Sequence, residues 1–289
     1  MKRLFEMLTS AMNQFSEDRC WTFSAALSYY AVFSLPWILL IVVYLTGWIV
    51  GEKAATGEIQ SRIQSIAGPN VAQQIQTMLR SASRPGGHGL LATLLGIALI
   101  MVSSTSGFAE LQFALNQAWD VQPENSRWEN FAAKRFISFL MVIAIGIILL
   151  ASMALRAILS AAGRAARLPF SAFWETLFAW LMVTFLVGTI LKVLPDARIG
   201  WKDVAASAIF TGTLLTMSKY GMSVYLAHSS IATSFGAAGS LAILLLWLYA
   251  SSAILLLGAE FARAWSRSHG RDVIPEKGAV RINTEKRAA

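Results

Sequence analysis

Long apolar runs, separated by shorter polar connections, dominate the pattern of this chain. Several runs approach or exceed the ~20 residues that a helix needs to cross about 30 Å of hydrocarbon. They are continuous, unlike the alternating segments of about ten residues that form membrane barrels. The pattern predicts helices at residues 24–50, 90–111, 136–155, 172–194, 204–226 and 237–261. The predicted fold class is therefore all-α, a polytopic bundle of about six transmembrane helices.

The segments outside these runs define three further regions. Residues 1–20 carry apolar side chains at helical spacing, at Leu4, Leu8, Met12 and Phe15. They predict an amphipathic helix that either lies along the inner membrane surface or packs on the bundle as a cap. Within the 21–265 transmembrane domain, the 51–89 connection holds two amphipathic patterns split by Gly68-Pro69, which predict a periplasmic helical cap. Residues 266–289 are polar and basic, and predict a disordered tail.

The distribution of charged residues indicates the orientation of the chain in the membrane rather than a binding partner. Only 14% of residues are charged, against roughly 25% in soluble domains, and the net charge is +8. Lysine and arginine concentrate at the N-terminus, in the second and fourth connections and in the C-terminal tail. Basic residues favour the cytoplasmic side of a membrane, so both termini are predicted to be cytoplasmic. Membrane lipids are the expected partners, and no nucleic acid is expected.

A lysine interrupts the fifth apolar run. Lys219 lies about two helical turns inside "LLTMSKYGMSVYLAHS", and its helical neighbours Gly212, Thr216 and Ser223 are small or polar. We call these four residues the Lys219 stripe. A charge near mid-membrane costs at least about 2.5–3.5 kcal/mol and calls for compensation. Lys219 is therefore either a structural tether, to a carbonyl or to Glu175 of the fourth run, or an anchor for an anionic head group.

Other polar residues are weaker candidates for a site. Glu110, Asn116 and Glu260 lie near the inner ends of the second and sixth runs. Carboxylates at such positions are functional candidates, but hydrated helix ends or partners for basic residues such as Arg263 explain them as well. The patch "VSSTSGFAE", which contains Gly107, is typical of close helix packing.

The residue types that enzymes use are sparse in this chain. The three histidines, His88, His228 and His269, are isolated, and no carboxylate cluster with metal-ligand spacing appears. Metal-dependent nuclease chemistry is therefore not expected. No Walker or dinucleotide motif is present, so no cofactor is expected. We expect a protein that is not an enzyme, without a catalytic or metal site.

Four motifs carry a resemblance to a known family. They are "AALSYYAVFSLP" (25–36), "ELQFALNQAWDV" (110–121), "LPDARIGWKD" (194–203) and "FGAAGSLAILLLWLYASSAILLLGAEFARAW" (235–265). Together they resemble the YihY/BrkB family of bacterial inner-membrane proteins, once labelled ribonuclease-BN-like. The resemblance implies a six-helix inner-membrane fold and a role in envelope integrity, without an established mechanism.

These observations predict a protein that transports or handles an amphiphilic or anionic envelope component through a polar-lined cavity. The alternative is a scaffold that stabilises other envelope proteins without transport. The two interpretations differ in whether the Lys219 stripe lines a cavity or packs against another helix.

Overall fold

The computed structural model describes residues 2–33, 73, 106–123, 171–228, 236–271, 273–276 and 278–282, and is mostly helical there. Its six helical segments are α1 (Lys2–Glu17), α2 (20–33), α3 (106–118), α4 (Ser171–Val193), α5 (Trp201–His228) and α6 (Gly236–Ser268). Four short strands are β1 (Val121–Pro123), β2 (Ala197–Arg198), β3 (Ile274–Pro275) and β4 (Ala279–Arg281). The predicted third run and, except for Gln73, the 51–89 cap lie outside the described residues.

The predicted helical character is confirmed, whereas the number of spans and their orientation stay predictions. Helices α4 and α5 cover the predicted runs at 172–194 and 204–226 closely, and α6 continues seven residues beyond the predicted end at 261. Two described helices contain segments long and apolar enough to cross a membrane, Thr176–Val193 and Leu241–Ser268. In α4, Leu181 and Phe185 are exposed, as side chains that contact lipid would be.

The chain divides into two compact units. The first comprises Met1–Ser24, Ala109–Thr216 and Ala253–Ala289, and the second comprises Ala25–Phe108 and Met217–Ser252. The strand pairs and most of the described buried core belong to the first unit. In the second unit, Gly107 of α3 lies close to Tyr30 of α2, since a Cβ added to the glycine would be 3.4 Å from that of the tyrosine. This contact agrees with the packing interpretation of "VSSTSGFAE".

Helix α1 packs against α6 through its apolar side. Ala11 is fully buried with Phe261 and Ala264, and Met7 and Leu8 pack against this group. Met12 lies on the other side, 46% exposed. Helix α1 therefore packs on α6, and its position relative to the membrane surface stays a prediction.

Helices α4, α5 and α6 approach one another at small residues. A Cβ on Gly212 of α5 would be 3.2 Å from the Cα of Thr184 in α4, and one on Gly258 of α6 would be 3.0 Å from the Cβ of Thr211 in α5. The Ser207 hydroxyl also donates to the carbonyl of Gly258. Small side chains therefore set the spacing of these helices, as in membrane bundles generally.

The C-terminal segment returns to the ends of α3 and α4. Strand β4 pairs antiparallel with β1, which follows α3, and β3 pairs with β2, which follows α4. The structure differs here from the expected disordered tail: α6 continues to Ser268, and Ile274–Pro275 and Ala279–Arg281 form strands. Two- and three-residue strands carry almost no periodic signal, and their partners are distant in sequence, so the local pattern could not indicate them.

Candidate functional site

An arginine at the end of α6 organises a group of charged side chains. Arg263 Nη1 donates to Asp18 Oδ2 at 3.2 Å and to the carbonyl of Ala118 at 3.1 Å. Its Nη2 contacts Asp120, which Arg267 also approaches at 3.4 Å. We call Asp18, Asp120, Glu260, Arg263 and Arg267 the arginine cluster. Its members come from the α1–α2 junction, the turn after α3, and α6.

Glu260 is the most buried carboxyl of the arginine cluster, with 0% of its surface exposed. Its Oε2 lies 3.9 Å from Arg263 Nη1, beyond hydrogen-bond distance, and has no hydrogen-bond partner. Its Oε1 accepts a long contact from the Cys20 thiol at 3.7 Å. Burial, together with the nearby Glu260 and Asp18 carboxyls, raises the pKa of the Cys20 thiol, which is therefore a poor nucleophile at neutral pH.

Backbone turns bring the acidic residues to Arg263. Helix α1 ends at Glu17, and Arg19 follows in the left-handed region with φ of 55°. Asp120, after α3, has φ of 52°, a conformation that aspartate adopts more readily than most residues. Both turns lie directly beside the arginine cluster. The positive φ angles of these two non-glycine residues are the distinctive backbone feature of the site.

A second polar group joins the ends of α3 and α4. Asn116 donates to the Asp196 carboxylate at 2.9 Å and accepts from the Asp196 backbone N–H at 2.8 Å. Gln112 donates to the other Asp196 oxygen at 3.2 Å. In addition, Arg271 lies 3.0 Å from the buried carboxylate of Asp203 at the start of α5. Asn116 thus fixes the turn after α4 in position.

The predicted inner-face residues have different surroundings. Glu260 lies 3.9 Å from Arg263, the basic partner that the sequence indicated. Asn116 belongs to the Asp196 group, and Glu110 is partly buried on α3. The sequence did not single out Asp18, Cys20 or Asp120 as site residues. The sequence pattern that could have indicated the site is a carboxylate at each of three helix ends that are predicted to lie on the cytoplasmic side.

The Lys219 stripe divides into a packed part and an exposed part. Gly212 is buried against α4, and the Thr216 hydroxyl donates to its carbonyl at 2.8 Å. Lys219 and Ser223 are exposed, and the Ser223 hydroxyl donates to the Lys219 carbonyl at 3.1 Å. Among the described helices, the stripe thus packs against a neighbour at its Gly212 end.

The proposed pairing of Lys219 with Glu175 remains a prediction, because the Glu175 side chain lies outside the described residues. Among the described side chains, no carboxylate forms an ion pair with Lys219. The described part of the chain also holds no group of three or more histidine, cysteine or acidic residues arranged to bind a metal ion.

The structure and the comparisons with known proteins together define a helical membrane protein. A family profile described as "Virulence factor BrkB" matches residues 11–281. The chain therefore belongs to the BrkB family, as its four motifs indicated.

Curated relatives carry the name "UPF0761 membrane protein". One from Stenotrophomonas maltophilia is 25% identical over 261 residues, which cover 86% of this chain and 58% of the relative. One from Alcanivorax borkumensis is 22% identical over 295 residues, covering 98% of this chain and 65% of the relative. The chain thus spans less than two thirds of the length of these relatives. No solved structure matches it.

Proposed function

We propose that this protein binds an amphiphile with an anionic head group at Lys219 and handles or transports it in maintaining the bacterial envelope. It does so in the inner membrane, with both termini in the cytoplasm and without enzymatic chemistry. The observation that supports this function best is the exposed Lys219 ammonium on a long, predominantly apolar helix, with no ion-pair partner among the described side chains.

The surface around Lys219 has the chemistry of an amphiphile site. Met217, Tyr220 and Val224 are 63%, 55% and 60% exposed, so apolar area flanks the ammonium. An ammonium forms charge-assisted hydrogen bonds with phosphate or carboxylate oxygens. Acyl chains suit the flanking apolar area, and the anionic head supplies the compensation that a lysine in hydrocarbon requires.

A scaffold without transport is the second candidate. The tight contacts of Gly212 and Gly258 with neighbouring helices favour it, because they give α4, α5 and α6 a fixed arrangement. A scaffold of this kind does not need the Lys219 ammonium. Substitution of Lys219 therefore distinguishes the amphiphile-binding function from the scaffold function.

The test compares Lys219→Met with Lys202→Met, which removes an exposed lysine at the start of the same helix. Retention of phosphatidylglycerol by the purified protein is measured by native mass spectrometry, with phosphatidylcholine as the zwitterionic reference. We expect Lys219→Met to insert normally and to weaken phosphatidylglycerol binding roughly 10- to 100-fold, since hydrogen bonds to charged groups contribute about 1.5–3 kcal/mol.

Envelope complementation supplies the second measurement. Lys219→Met should fail to restore a strain that lacks the protein, and Lys219→Arg should restore it in part, because the charge remains while the compact ammonium is lost. Lys202→Met should behave as the wild type in both assays. Full complementation and unchanged lipid retention by Lys219→Met would refute the anchor and leave the scaffold.

A further inference from the structure

In the described part of the chain, the acidic groups of the arginine cluster outnumber its basic groups. Three carboxyls, of Asp18, Asp120 and Glu260, face two guanidinium groups, of Arg263 and Arg267. Burying an unpaired charge is costly, so the group with the fewest donors is the one to become neutral.

The hydrogen-bond donors identify that group. Arg263 Nη1 is committed to Asp18 and to the Ala118 carbonyl, and its Nη2 to Asp120. Arg267 also contacts Asp120. The Ser24 hydroxyl, at the start of α2, donates to the Cys20 carbonyl at 2.7 Å and not to Glu260.

Glu260 is left with the weakest partners. Its Oε1 has the Cys20 thiol at 3.7 Å, and a thiol is a poor donor. Its Oε2 is buried without a hydrogen bond. The Asp18 carboxyl, which faces Glu260 from the α1–α2 junction, offers an acceptor rather than a donor. A protonated carboxyl fits these surroundings, because it needs an acceptor and carries no charge.

We propose that Glu260 is a proton-binding site of the protein, with its carboxyl protonated in this arrangement and its proton directed to Asp18. On deprotonation the proton leaves to water, and the buried Glu260 carboxylate then competes with Asp18 for Arg263. Arg263 connects the α1–α2 junction and the turn after α3 to α6, so loss of the proton loosens this end of the first unit.

The site would let proton binding control the handling of an amphiphile. That use rests on the proposed function, whereas the proton site does not. Its test therefore relies on a spectroscopic signal from the purified full-length protein, without substrate or transport.

Infrared spectroscopy detects a protonated carboxyl by a carbonyl band that ionised carboxylates lack. We expect the wild-type protein at neutral pH to show this band, and Glu260→Gln, which has nearly the same shape but no acidic proton, to lose it. Glu17→Gln removes an exposed carboxyl at the end of α1 and should leave the band unchanged. If Glu260→Gln does not fold, Glu260→Asp replaces it and should shift the band.

Two results would overturn the proposal: no protonated-carboxyl band in the wild type, or a band that is the same in every Glu260 variant. The outcome is independent of the lipid experiment. A Lys219→Met protein that loses lipid but keeps the band would support both inferences. Loss of the band in Glu260→Gln supports the proton site even if Lys219 proves dispensable.

Discussion

At the scale of single residues, the reactivity of Cys20 is a probe of the packing around the arginine cluster. It is the only cysteine of the chain, it is 1% exposed, and its thiol contacts Glu260. The raised thiol pKa lowers the thiolate fraction at neutral pH, and the thiolate is the species that reacts with maleimides. Burial also blocks access of the reagent. Both effects make Cys20 unreactive while this region is folded.

We expect maleimide to label Cys20 at least about tenfold more slowly than an exposed cysteine in the native protein. The control is Ser16→Cys in a Cys20→Ser background, since Ser16 is exposed on α1. Unfolding in dodecyl sulfate should bring both rates close together. Equal rates in the native protein would show that Cys20 is accessible and that this packing is wrong.

The residue scale also shows why the sequence indicated only part of the site. Glu260 and Arg263 are three positions apart on one helix, so their proximity follows from helical geometry. Asp18 and Arg263 are 245 positions apart, and no local pattern relates them. The exposure of Lys219 likewise depends on the placement of other helices. Its predicted depth in the membrane, in contrast, follows directly from the apolar run around it.

At the scale of elements, the close contacts among α4, α5 and α6 depend on glycines, which have no side chain, at positions 212 and 258. A Cβ on Gly258 would lie 3.0 Å from the Thr211 Cβ, and one on Gly212 would lie 3.2 Å from the Thr184 backbone, which cannot rotate away. The sequence predicted small residues at helix contacts in general. It could not identify which glycines meet a neighbour, because the helix pairs were unknown.

Alanine substitutions test these contacts. Gly212→Ala and Gly258→Ala should each lower the free energy of unfolding by about 1–3 kcal/mol, the usual cost of overpacking. Gly221→Ala is the matched control, since nothing lies within 4 Å of its added Cβ. It should be neutral or stabilise the helix by up to about 1 kcal/mol. Thermal unfolding in mild detergent provides the measurement, and identical melting of all three variants would contradict the packing.

At the scale of the whole molecule, the distribution of basic residues predicts the orientation. A reporter that is active only in the periplasm should be silent when fused after Ala289, and active when inserted in the 51–89 connection. The reason is the excess of lysine and arginine at the termini and in the second and fourth connections. Strong activity of the C-terminal fusion would mean that the orientation is inverted or that the number of spans is odd.

The contacts of Arg263 form late, because this residue is synthesised long after its partners Asp18 and Asp120. Asp18 leaves the ribosome 245 residues ahead of Arg263, about 10–50 s earlier at roughly 5–20 residues per second. Strand β1 also precedes its partner β4 by more than a hundred residues. During this interval Asp18 lacks its contact with Arg263. The contacts that tie α1, α3 and α6 together at this end are therefore among the last to form, after most of the chain has already been made.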